Sequence, residues 1–155
     1  MRRKQAIQLV AIALIAIANP VYAGSSTGQL SVTVRVIART ILTVDSQPAS
    51  VSVTADDIAR GYVDVPQAVA FRVRSNAREG YALAFQPVEF PFSAAEVQWN
   101  GRTAVVQSGN PWATSLTHPY QQGMTAGTLV VRLRVSAGAE PGTYSWPLQV
   151  AANSL

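Results

Sequence analysis

The chain has 155 residues, the length of about one domain, and no cysteine. That excludes disulfides, thiolate metal sites, thiol nucleophiles and haem attachment through cysteine. Three of its 12 basic residues are Arg2, Arg3 and Lys4; the other nine, all arginine, stand against eight acidic residues, so the formal charge of +4 falls to +1 beyond them and leaves no nucleic-acid footprint.

The first stretch reads as a targeting signal. Arg2, Arg3 and Lys4 make a positive n-region, and residues 6–18 are an almost unbroken apolar run, short for a bilayer span. Asn19-Pro20 breaks a helix, and Val21-Tyr22-Ala23 offers small or modest residues where a signal peptidase cuts. A signal peptide over residues 1–23 is expected, rather than a membrane anchor, and the mature chain is expected to have no membrane span. Export delivers it to an oxidising compartment. A cysteine-free domain there depends on its sheets and core alone.

Beyond the flexible leader Gly24-Ser25-Ser26-Thr27-Gly28, period-two alternation dominates. Leu30, Val32, Val34 and Val36 alternate with Ser31, Thr33 and Arg35, which predicts a strand with one apolar face. Ile41, Leu42 and Val44 make a second extended stretch, and Val51 and Val53 a third. Thr54 is placed to cap about one helical turn through Asp56, Asp57, Ile58 and Ala59, closed by Arg60-Gly61. Val69, Phe71 and Val73 oppose Arg72 and Arg74, and Tyr81, Leu83 and Phe85 repeat the pattern after residues 76–80, which predicts a hairpin. Asn100-Gly101, a type I′ turn signal, joins strands near residues 96–99 and 102–106. Residues 108–127 read as a polar loop. Leu129, Val131, Leu133 and Val135 resume the alternation with Arg132 and Arg134 outward. Tyr144, Trp146, Leu148 and Val150 make the last strand, where Pro147 indicates an edge or a bulge. Many short strands with one helical turn predict an all-β domain, an immunoglobulin-like β-sandwich.

Chemistry is sparse. His118, the one histidine, precedes Pro119 in the loop; no G-x-S-x-G elbow accompanies it, and it reads as a solvated side chain. One histidine without cysteine does not make a zinc site. Asp56, Asp57 and Asp64 lack the spacing of a calcium loop, and the first two suit a helix start. Trp99 and Trp146 fit a sandwich core, while Trp112, beside Pro111, is a candidate surface contact for a ligand. No phosphate-cradling glycine loop occurs. No cofactor, no metal and no catalytic residue is expected, and an enzyme is the least favoured class.

Residues 30–36 are more informative. An apolar alternating arm presented to solvent is an aggregation hazard in a monomer; in a polymer it can add itself to another subunit's sheet. With Leu30-Ser31-Val32-Thr33-Val34 just after the signal peptide, the chain resembles the pilin subunits of the chaperone–usher family, in layout the cysteine-free colonisation-factor pilins. Thr40-Ile41-Leu42-Thr43-Val44 follows as the first strand of the fold. Val73-Arg74-Ser75-Asn76 leads to Tyr81-Ala82-Leu83-Ala84-Phe85, a hairpin carries Trp99-Asn100-Gly101, and Gly142-Thr143-Tyr144-Ser145 closes the pattern. The resemblance covers most of the mature chain by pattern and order rather than by identities. Pro147 inside the last strand and Arg35 in the arm depart from it.

The resemblance implies residues 24–37 as an N-terminal arm and residues 38–155 as a sandwich lacking one strand. A periplasmic chaperone lends a strand to the groove until a neighbouring pilin's arm replaces it, with an outer-membrane usher as the further partner. Leu30, Val32, Val34 and Val36 would then be the groove-filling side chains, and the cell surface or its fimbriae the destination. The second reading is a self-complete secreted or periplasmic Ig-like binding module, in which residues 30–36 pair within their own sandwich.

Overall fold

Apolar side chains at every second position can all turn to one side only if the backbone is extended, and this alternation sets the fold. The computed structural model describes residues 32–109 and 114–155. In chain order they form β1 (Thr40–Ser46), β2 (Ser50–Val53), α1 (Ala55–Arg60), β3 (Tyr62–Ser75), β4 (Tyr81–Phe85), β5 (Phe92–Trp99), β6 (Arg102–Gln107), β7 (Thr114–His118), β8 (Met124–Val135), β9 (Gly142–Ser145) and β10 (Val150–Ser154). The protein is all-β. The strands pair antiparallel in a five-stranded sheet ordered β1-β3-β8-β5-β6, a three-stranded sheet β10-β4-β7 and a two-stranded sheet β2-β9.

One hydrophobic core takes side chains from all three sheets: Phe71, Val97 and Val131 from the first, Leu83, Phe85 and Leu116 from the second, Val51 and Val53 from the third. On β8, Leu129, Val131 and Leu133 are fully buried while Arg132 and Arg134 stand outside. Asp64 holds Arg132 at 2.7 Å, Asp45 holds Arg72 at 2.6 Å, and Glu96 pairs with Arg134. These exposed pairs contribute little to stability, but opposite charges across neighbouring strands favour the observed register.

Trp99 anchors the core at the end of β5, edge-on to Phe71 at 5.3 Å. Its indole takes the space in front of Gly127: a Cβ there would lie 2.5 Å from Trp99 Nε1 and 2.8 Å from Phe71 Cζ. Glycine at 127 is therefore a steric requirement. After Trp99 the chain reverses at Asn100 (φ 47°) and Gly101 (φ 73°), and Trp99 pairs with Arg102, the hairpin that Asn-Gly predicts.

The helical turn also forms as read. Thr54 Oγ1 accepts from the Asp57 amide at 3.2 Å, and Asp57 Oδ2 accepts in return from the Thr54 amide at 2.9 Å, a capping box. The Thr54 hydroxyl donates to the same carboxylate at 2.6 Å, and Arg60 pairs with it.

Four expectations about the strands need correction. The runs on either side of residues 76–80 are not a hairpin: β3 lies in the five-stranded sheet and β4 in the three-stranded one. Both strands need a core face, so alternation alone does not distinguish a hairpin from a crossing between sheets. Residues 108–127 are not one loop. They contain β7 and the start of β8, whose polar outer positions hid the strands. The run from Tyr144 to Val150 is two strands. Trp146 N donates to Ala49 O at 3.0 Å on the β2 side, Gln86 N donates to Gln149 O at 3.2 Å on the β4 side, and Pro147, without an N–H, stands where the chain changes sheets. Residues 32–36 form no strand, since no other described segment pairs with them. Residues 1–23, the leader at residues 24–28, Leu30 and Trp112 lie outside the described residues.

Three substitutions check this account. Gly127→Ala forces the Trp99 indole or β8 to move, and an overpacking loss of about 1–3 kcal/mol is expected in chemical denaturation. Thr54→Ala removes the cap and is expected to cost about 0.5–2 kcal/mol. The Thr54 hydrogen bonds, and secondarily Arg60, hold the Asp57 carboxyl below its ordinary range. Its stabilising effect is therefore complete above the unfolded carboxyl value and lost as pH falls through the lowered folded one; in Asp57→Asn this contribution to acid sensitivity should disappear.

Candidate functional site

An inner strand of a sheet satisfies backbone groups on both sides, and an edge strand on one. β10 pairs with β4, and among the described residues nothing pairs with its other side. β1 is likewise the edge of the five-stranded sheet. The two edges meet at one end, where the hydroxyls of Thr40 and Ser154 lie 3.0 Å apart.

The side chains along this seam are core-facing by register. Leu42 pairs with Val73 and Val44 with Phe71; Val150 pairs with Phe85 and Ala152 with Leu83. Directly opposed residues share a face, and all four of these partners are fully buried. The seam residues are not. Leu42, Val150 and Ala152 pack on the core yet remain only half-buried, and Val44 is 39% exposed. The core is thus only partly covered between β1 and β10, beside a backbone edge that no described residue pairs.

The chain before β1 also exposes apolar side chains. Val32, Val34 and Val36 are 70%, 77% and 75% exposed, and Ile37 76%. Asn76 fixes the point at which this segment joins the domain. Its Nδ2 donates to Ile37 O at 3.1 Å, its Oδ1 accepts from Arg39 N at 2.5 Å, and its backbone N–H donates to Arg39 O at 3.1 Å. Sequence reasoning singled out the valines. It missed the clamp and the role of Leu42, Val44, Val150 and Ala152, because alternation identifies a core face without saying whether anything covers it.

The other candidates resolve into structure. His118 is not a solvated loop residue: it ends β7 and stacks on Trp99 at 4.8 Å and on Tyr81 at 5.2 Å. Its Nδ1 lies 2.8 Å from Pro119 O and is best assigned as donor to it. Burial pushes the Tyr81 phenol up, and the Thr125 hydroxyl opposes that shift in part. No carboxylate hydrogen-bonds the imidazole among the described residues. Trp99 is core, and Trp146 is half-buried against it. Asp57 caps the helix and Asp64 pairs with Arg132. Among the described residues no cluster of three potential metal ligands occurs, and no helix is long and apolar enough to cross a membrane.

An open edge has a direct signature in hydrogen exchange. Successive amides of a strand point to opposite sides, so alternate β10 amides should be protected by β4 while the others exchange at rates near those of exposed loops. Uniform protection along residues 150–154 would mean that the outer edge is covered. In comparisons with known proteins, no protein-family model, curated protein or solved structure matches this chain.

Proposed function

We propose that this chain is a structural subunit of a bacterial surface fibre, exported through its signal peptide and assembled by strand donation. In this reading residues 24–37 of one copy lie along the free edge of β10 in the next. The observation that carries it is the uncovered core beneath that edge, floored by Leu42, Val44, Val150 and Ala152.

The strand order supports the same reading. An immunoglobulin sandwich orders its strands ABED in one sheet and CFG in the other. With β1, β3, β4, β5, β8 and β10 as A, B, C, D, E and F, the order β1-β3-β8-β5 corresponds to ABED and β10-β4 to FC. The position next to β10 is then that of strand G. Residues 32–36 match the five residues of β10 in number, and their valines offer alternate apolar side chains to one face. Burying each is worth about 1.5–3 kcal/mol. Until the arm arrives, the exposed apolar seam favours self-association, which a strand lent by a periplasmic chaperone would prevent in transit to an outer-membrane usher.

Opposite responses at adjacent positions test this. Val34→Asp places an unpaired charge in the groove at a cost of several kcal/mol. Polymer should be lost while the domain itself keeps its thermal midpoint. Thr33→Asp, on the other face of the arm, should assemble normally. In a self-complete binding module Val34→Asp would instead lower the monomer's own midpoint. Equal tolerance of both changes would remove any role for the arm.

A further inference from the structure

Where the chain changes sheets at Pro147, it leaves a cleft of about 390 Å³ between residues 86–92 and 144–149. Four aromatic residues line it, of which Phe92 is fully buried. Phe90 stands 67% exposed at the rim. Tyr144 is half-buried, and its hydroxyl is already committed to Glu140 O at 2.7 Å. Trp146 is half-buried, and its Nε1 is buried without a hydrogen-bond partner among the described residues, so the exposed part of its indole is carbon. Gln86, Glu89 and Gln149 add exposed polar side chains to the lining, with no hydrogen bond to another described side chain. Glu89 is the one charged residue in the lining.

We propose that this cleft is a saccharide-binding site, for a neutral or amino sugar. A pyranose ring has an apolar C–H face and a polar rim of hydroxyls. Aromatic carbon faces in a concave site bury the first, and planar amide and carboxylate groups can each hold two neighbouring hydroxyls. Both kinds of group line this cleft, aromatic residues beside the exposed side chains of Gln86, Glu89 and Gln149. The charge selects within the class. A carboxylated or sulfated sugar would meet Glu89 without a compensating cation in the cleft, whereas an amino sugar would gain from it. The polar lining also separates this cleft from the β1–β10 seam: a valine-bearing strand gains nothing from desolvating Gln86, Glu89 and Gln149.

The test is a titration of the exported chain, in whichever assembly state it purifies, with panels of neutral, amino, carboxylated and sulfated oligosaccharides, followed by tryptophan fluorescence and calorimetry. A saturable response to neutral or amino sugars is expected. Phe90→Ala should weaken it about two- to tenfold, the usual range for losing an aromatic stack. Gln149→Ala should also weaken it, and both variants should keep the parent thermal midpoint because both side chains are exposed. No response up to about 10 mM sugar would overturn the proposal. So would unchanged binding by both variants, or a preference for the anionic sugars. Binding by a chain that never polymerises would leave this site standing and count only against strand donation.

Discussion

Among the described residues the backbone of β10 is satisfied on one side only, and the rest of the domain is organised around that asymmetry. Its inward bonds to β4 place Val150 and Ala152 over Phe85 and Leu83. Its outward groups face no described strand, and β1 on the other sheet leaves Leu42 and Val44 uncovered opposite it. A buried backbone edge must find partners; a solvated one can wait for them. Polar groups that wait above uncovered apolar side chains form a surface that a further strand would complete in both respects, hydrogen bonds along its backbone and burial along one face.

Stability resides elsewhere. The long pairing of β3 with β8, continued by β5, carries the fully buried Val69, Phe71, Leu129, Val131 and Leu133. Trp99 closes one end of that core in the space Gly127 leaves for it, and the capping box holds α1 between β2 and β3. A domain whose centre is dense and whose seam is open can persist while the seam is empty. Asn76 gives the arm a fixed origin by binding Ile37 and Arg39 together. An arm leaving from a defined point loses less freedom on docking than a wholly flexible tail.

The sequence showed the local devices well. Asn100-Gly101, the Thr54 cap and the division of β8 into Leu129, Val131, Leu133 against Arg132 and Arg134 were all readable, because each is decided by residues close in the chain. What escaped was decided by distant partners. Whether β3 turns back on itself or crosses to the second sheet depends on β1 and β8 already flanking it. β7 was hidden because Leu116 is its one buried residue. Pro147 was recognised as an interruption, yet its role as the point of exchange between sheets needs both Ala49 and Gln149 in view. The arm valines were visible as a pattern; the uncovered seam was not, since a side chain facing the core reads the same whether or not the core is closed.

The most direct test of strand donation uses the two parts separately. The domain spanning residues 38–155 is followed by thermal unfolding and size exclusion, with and without a synthetic peptide of residues 24–37. If the seam between β1 and β10 receives the arm, the peptide raises the midpoint in a saturable way, protects the exposed amides of β10 and suppresses self-association, and its Val34→Asp form does none of these. A monomeric domain whose midpoint and β10 exchange are indifferent to the peptide would contradict the account.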